Sequence, residues 1–219
     1  QATCGDANDL AAAMDSALDH YSIDVVDLDI EGDDLTDSAA RQKLASAVNS
    51  LQSERRSEGS DLVIWLTLPA DRNGLTNDGV QTVADFLDAG ADLSGVNLMT
   101  MNFGVPSIEE TTSELSIEAL KSAHSQLSRA LLKTGRVLTS DQVWNTLGAT
   151  PMIGQNDSPG EIFTIEDAIA LHSFAQQHNL GRLSFWSLNR DRQCDSNYSN
   201  WSTAVNFCSG VPQDLLEFD

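Results

Sequence analysis

With 33 acidic residues against 12 basic ones, this chain of 219 residues carries a formal charge of −21. It has no basic stripe to meet a nucleic-acid backbone or an anionic membrane surface, and no apolar run long enough to span a bilayer as a helix. The length suits one domain with a sizeable core. The acids are mostly Asp, 23 of 33, and the bases mostly Arg, 9 of 12. Such a surface suits concentrated salt, where mobile ions screen its self-repulsion; an ordinary acidic secreted protein is the alternative. No signal peptide is recognisable, so the chain is expected to begin after processing or truncation.

In chain order, the first expected element is a helix over Asp6 to His20, Ala-rich and headed by an Asp in the N-cap place. Tyr21 to Gly32, YSIDVVDLDIEG, follows as a strand, because Ile23, Val25, Val26, Leu28 and Ile30 are β-formers in a short run. Their density points to burial rather than to a solvated edge. With side chains alternating, Asp27, Asp29 and Glu31 fall on one face, about 6–7 Å apart per step, and Val26, Leu28 and Ile30 on the other. Three acids on one face of an apolar strand repel one another and are costly to bury. Three readings compete. A cation loop would need a Glu at its twelfth position, where Ser38 stands. A solvated edge strand would need fewer apolar neighbours. Acid–base chemistry, with pKa values pushed apart by proximity, asks for this crowding.

After an acidic turn at Asp33 to Thr36, Asp37 to Glu58 reads as an amphipathic helix, with Leu44, Val48 and Leu51 at helical spacing. Asp61 to Pro69, DLVIWLTLP, is a strand covered on both sides, with Trp65 in the core. Thr76 to Ala89 is a helix, Gly95 to Gly104 a third strand, Leu115 to Leu132 a helix and Ser140 to Leu147 a short one. Pro151 to Asp157 is expected as the fourth strand, Ile165 to His178 as a helix and Gly181 to Leu188 as the fifth strand. Strand and helix alternate throughout, the pattern of a parallel α/β sheet. Cys194 and Cys208 flank a polar segment and either close a disulfide loop, implying an oxidising compartment, or remain free thiols; Cys4 is left over. His20, His124, His172 and His178 fall in helices and lack metal-ligand spacing. There is no phosphate-cradling glycine loop and no G-x-S-x-G nucleophile motif, so no cofactor is implied.

The spacing Asp24-x-x-Asp27-x-Asp29-x-Glu31 is similar to the DxxDxDxE signature of family 18 glycoside hydrolases, the chitinases and their relatives. The chain resembles the bacterial and archaeal branch of that family. The resemblance implies an α/β fold, a (β/α)8 TIM barrel whose fourth strand ends in the motif, with catalytic groups at the C-terminal strand ends. The five strands would then be barrel strands four to eight. Residues 1–192 would form the C-terminal portion of the catalytic domain, and 193–219 a tail with a Cys194–Cys208 loop. Strands one to three, roughly 80–100 residues, would precede Gln1. An open five-stranded sheet is the alternative, although its free edge would be a liability.

The same resemblance implies hydrolysis of β-1,4-linked N-acetylglucosamine, in chitin or its oligomers, by substrate-assisted retaining catalysis. Glu31 would protonate the glycosidic oxygen and later activate water. The sugar's own acetamido oxygen would attack the anomeric carbon, giving an oxazolinium intermediate. Asp29 would orient the acetamido group, and Asp27 would share a proton with Asp29. Trp186, in SFWSLNRD, would stack beneath the cleaved sugar. Many members carry Met-x-Tyr-Asp on the sixth strand; this chain has Met99-Thr100-Met101-Asn102-Phe103, which leaves Met101 and Asn102 to line the sugar. Gln155 would bond sugar hydroxyls, while Asn156 and Asp157 could equally form an ordinary polar loop. The expected setting is extracellular, with no nucleic-acid or membrane partner. The rivals are a non-catalytic chitin-binding barrel, whose kind usually loses the acid that Glu31 retains here, and an endo-N-acetylglucosaminidase acting on glycans.

Overall fold

Side chains that accept from the first free N–H groups start most of the helices, and they fix where the strands between them begin. Asp6 accepts from Asn8 and Asp9 at the head of α1 (Ala7–Tyr21), and Asp37 from Ala39 and Ala40 at the head of α3 (Ser38–Ser57). Thr76 caps α4 (Asn77–Asp88). Capping boxes built on Thr111, Thr139 and Thr164 start α5 (Thr112–Lys133), α6 (Ser140–Trp144) and α7 (Ile165–His178). The acidic turn after the first strand coils into a short helix, α2 (Gly32–Thr36). The computed structural model describes residues 5–104, 110–195 and 203–218, so Cys4 lies outside the described residues.

Five strands lie parallel: β1 (Val25–Asp29), β2 (Val63–Asp71), β4 (Leu93–Met99), β5 (Leu147–Thr150) and β8 (Arg182–Leu183), in that spatial order. A short β3 (Gly74–Leu75) folds back antiparallel on β2, and β6 (Gly154–Gln155) pairs with β7 (Ile162–Phe163) in a separate ribbon. Helices α1, α3, α4, α5 and α7 pack each against the next along one side of the sheet. This is a parallel-strand half-barrel. Among the described residues, β1 and β8 form its two ends.

Alternation along each strand sorts the side chains. Ile64, Leu66, Leu68, Val96, Leu98, Leu147 and Ala149 face the helices and are almost wholly buried against Val48, Leu51, Phe86 and Leu120. Full burial of each Leu contributes about 1.5–3 kcal/mol. The opposite, inner face carries Asp27, Asp29, Trp65, Thr67, Asn97, Gly148, Thr150 and Arg182, and here the register brings polar groups side by side. Asp27 pairs with Trp65 and Asp29 with Thr67, Thr67 with Asn97, Asn97 with Gly148, and Gly148 with Arg182.

Two expectations are corrected. The run from Tyr21 to Gly32 is not a strand buried throughout: Tyr21 closes α1, Val25 is exposed, and β1 stands at the end of the sheet with only Val26 and Leu28 packed on the core. The fourth strand is not Pro151 to Asp157 but Leu147–Thr150. Its Gly and Ala have weak β propensity, yet the packing across the sheet leaves no room for a side chain at Gly148. A Cβ on Gly148 would sit 2.7 Å from Asn97 Oδ1 and 3.0 Å from Arg182 Cβ.

The C-terminal segment is tied down by the Cys194–Cys208 disulfide and by a run of charged residues that the β8 exit delivers. Arg190, fully buried, donates to the carbonyls of Ile153 at 2.9 Å and Gln155 at 2.6 Å, and also to that of Val205. Asp191 accepts from Gln213 at 2.6 Å and from the Phe218 N–H at 3.1 Å.

Candidate active site

Parallel strands leave the C-terminal ends of their inner faces at one rim, and there a cleft of about 510 Å3 opens. Asp29 and Glu31 line it together with Thr67, Pro69, Met99, Met101, Asn102, Thr150, Met152, Asp157, Trp186 and Asn206. Five of the seven residues singled out from the sequence therefore meet at one place: Asp29, Glu31, Met101, Asn102 and Trp186.

Glu31 lies two residues past β1, as the N-cap residue of α2, with no capping bond from its side chain. Its carboxylate is free to face the cleft. Partial burial, then Glu31, then Asp27 push the pKa of Asp29 above the ordinary carboxylate range. Water reaches the outer part of Asp29 and trims that effect. Asp27 lies deeper on the strand. Its oxygens accept from Thr67 Oγ1 at 2.6 Å and from the guanidinium of Arg182, so the expected proton sharing with Asp29 has no hydrogen bond behind it here.

Asn102 adopts a left-handed backbone, φ 58°, which Asn tolerates better than most residues. Its side-chain Oδ1 accepts from the backbone N–H groups of Asp157 at 2.9 Å and Ser158 at 3.2 Å, and its own backbone N–H donates to Asn156 Oδ1 at 3.2 Å. It thus holds two rim loops together as well as lining the cleft. Glu161, fully buried, supports the same loop by accepting from Gly104 N–H at 2.9 Å. Burial raises its pKa, against the opposing pull of the Phe103, Gly104 and Asn102 N–H groups. Trp186 is half exposed and lines the cleft, and its backbone N–H donates to the Pro151 carbonyl at 2.8 Å.

Gln155 is the correction. It is 2% exposed, and its amide donates to the backbone of Asn156 and Glu161, away from the cleft. The displacement of the fourth strand explains this: Gln155 belongs to β6, inside the rim loop, not to the end of a barrel strand. Asn156 is likewise buried and bonded to Met152 and Gly154, whereas Asp157 reaches the cleft. Sequence reasoning missed Thr67, Thr150 and Asn206. Strand parity gives the first, since Thr67 shares the face of Trp65; Thr150 ends the misplaced strand, and Asn206 arrives through the disulfide loop.

No family model matches the chain. It is 34% identical over 206 residues to a probable bifunctional chitinase/lysozyme of Escherichia coli (strain K12), and 34% identical over 198 residues to Endochitinase 11 of Metarhizium anisopliae. These alignments take in 90% and 87% of this chain but only 22% and 37% of those proteins. The solved catalytic domain of a hyperthermophilic chitinase from Pyrococcus furiosus superposes with a TM-score of 0.82 at 27% identity, over 99% of this chain and 65% of that one. Catalytic-site mutants of the same Pyrococcus domain, solved with chito-oligosaccharides, superpose equally well.

Over nearly its whole length the chain is similar to chitinases. It carries all four acids of the Asp24-x-x-Asp27-x-Asp29-x-Glu31 spacing, and it presents the last two to the cleft. Trp186, 155 residues further along the sequence than Glu31, lines the same cleft.

Proposed function

We propose that this chain provides the catalytic face of a chitinase that cleaves β-1,4 bonds between N-acetylglucosamine units with retention. The observation that carries the reading is the meeting of Asp29, Glu31 and Trp186 in one cleft at the C-terminal ends of parallel strands. Its five parallel strands stand as strands four to eight of a barrel. An aromatic face sharing a cleft with a pair of acids suits a pyranose ring with its scissile oxygen held toward Glu31. Glu31 donates the proton to the leaving oxygen. The acetamido oxygen of the same sugar closes on the anomeric carbon, and the C–O bond to the leaving sugar breaks. Asp29 orients the acetamido group, and Glu31, now ionised, takes a proton from the water that opens the oxazolinium ring. Met101 and Asn102 line the sugar beside Trp186, and Asp157 and Asn206 join them. The disulfide and the Asp-rich, Lys-poor surface support an extracellular and saline setting.

The test is Glu31→Gln, which keeps shape and removes the proton. Loss of hydrolysis of soluble chitin oligomers by about 100-fold or more is expected, with oligomer binding retained and the β-anomer released first from the unmodified chain by NMR. Tight oligomer binding without turnover by the unmodified chain would make it a chitin-binding barrel instead. Turnover confined to a high-mannose glycopeptide would make it an endo-N-acetylglucosaminidase. Full activity in Glu31→Gln would remove Glu31 from the acid role.

A further inference from the structure

Among the described residues, the cation that reaches the acid ladder comes from β8, at the far end of the sheet. The Arg182 guanidinium lies over the Trp65 ring, 4.4 Å from its centroid, and donates to Asp27 Oδ2. This seat is built. Trp65 pairs with Gly95 across β2 and β4, and a methyl group on Gly95 would overlap the ring. A Cβ on Gly181 would come within 3.0 Å of the same ring. Two glycines thus leave the space in which Trp65 lies flat and Arg182 can cross toward β1.

The other side of Asp27 is as directed. Thr67 Oγ1 donates to Asp27 Oδ1 at 2.6 Å. That hydroxyl in turn accepts from Asn97 Nδ2 at 3.1 Å, and Asn97 gives its second hydrogen to Thr150 at 2.7 Å. The donors run one way, from the middle of the sheet to Asp27. In every hydrogen bond that Asp27 makes, it accepts. The charged groups around it are Asp29 and Glu31 along its own chain and Arg182 from β8, while β2 offers it only the uncharged Thr67 and Trp65.

We infer that Arg182 is a positioning residue for the acid ladder: lying on Trp65, it holds the Asp27 carboxyl as an acceptor turned toward β2 and β8, so that Asp29, beside Glu31, is the member that takes up the ladder's proton. Asp29 in that form has both a donor and an acceptor. Its O–H can give to Glu31 while its carbonyl oxygen takes an amide N–H from the substrate. The upward push on the pKa of Asp29 from burial, Glu31 and Asp27 acts in the same direction. The role assigned to Arg182 rests on the hydrolytic reading only for its consequence in catalysis; the placing of the proton stands apart from it.

The experiment compares the full chain with Arg182→Met, which keeps length and loses charge, and Arg182→Lys, which keeps charge and loses the planar stack. Removing a cation from a carboxylate cluster makes every member hold protons to higher pH. Both limbs of the kcat–pH profile on chitin oligomers should therefore move up by about one unit in Arg182→Met at low salt, by less at high salt, and return most of the way in Arg182→Lys. A variant that folds, loses rate at every pH and leaves both limbs in place would overturn the inference, since a merely structural arginine would behave that way. If the unmodified chain hydrolyses nothing, the functional reading fails by itself. The placing of the proton is then decided by carboxyl 13C titration without substrate. Proton uptake on Asp29 alone in the unmodified chain, and divided between Asp27 and Asp29 in Arg182→Met, supports it; identical Asp29 titrations in the two proteins overturn it.

Discussion

At the rim of the sheet Asp29 and Glu31 stand open to the cleft, with a raised pKa on one and no bond on the other, whereas behind β6 Arg190 is sealed from water and bonded to a set of backbone carbonyls. Both regions are dense in charge, and both follow directly on a strand of the same sheet. The rim leaves its acids short of partners, which costs stability and gives groups that can exchange protons. The Arg190 knot turns its guanidinium onto backbone carbonyls, which locks the segment after β8 to the loop after β5. A charged run is therefore architectural where it ties buried backbone segments together and chemical where its groups face an open cleft.

The comparison breaks most visibly at the knot. Arg190→Met should strand the carbonyls of Ile153 and Gln155 in the interior and cost about 3 kcal/mol or more. Thermal unfolding followed by circular dichroism would report it as a fall in Tm of roughly 6–12 °C for a chain of this size. Little change would mean that the knot carries no net stability. Removing the disulfide as Cys194→Ser with Cys208→Ser releases a loop of sequence separation 14. The expected loss is about 3 kcal/mol, together with a rise in KM as Asn206 loses its anchorage at the cleft and little change in kcat. A KM equal to that of the unmodified chain would take Asn206 out of the binding wall.

Helix positions were legible because capping is local. Asp6, Asp37, Thr76 and Thr164 each stand within three residues of the N–H they satisfy, and the helix expected over Ile165 to His178 is the helix found. The acids were legible because a period of two is local as well. What could not be read was decided across the sheet. Leu147–Thr150 looks unlike a strand, and its Gly148 makes sense only against Asn97 and Arg182. That single displacement misplaced Gln155. The Arg182–Asp27 contact joins residues 155 apart, and neither residue type announces the other.

At the rim, a smaller change sharpens the contrast. Thr67→Val removes the hydroxyl that donates to Asp27 and leaves Asn97 with one bond fewer. A loss of about 1 kcal/mol is expected, a fall in Tm of roughly 2–4 °C. A several-fold fall in kcat should accompany it, because Asp27 then depends on Arg182 alone. A variant with Tm lowered and kcat intact would confine Thr67 to the fold.

Glu161 lies between the two kinds of region: buried like Arg190, yet a carboxyl of the rim loops, with Oε1 lacking a hydrogen-bond partner. Burial raises its folded-state pKa above that of the unfolded chain, so the native state holds the proton over a window in which the unfolded state has released it. Its contribution to stability is complete below the unfolded glutamate range and is lost as pH rises through the folded value. One proton can give a slope of at most about 1.4 kcal/mol per pH unit. Asp29 adds a slope of the same sign, so the informative quantity is the difference between Glu161→Gln and the unmodified chain across pH 4 to 8, about the range where a raised carboxyl titrates. Glu161→Gln keeps an acceptor for Gly104 and cannot ionise. It should match the unmodified chain at the acid end and exceed it in denaturant midpoint at the neutral end. Parallel curves would mean that Glu161 stays ionised throughout, and that the Phe103 and Gly104 amides outweigh its burial.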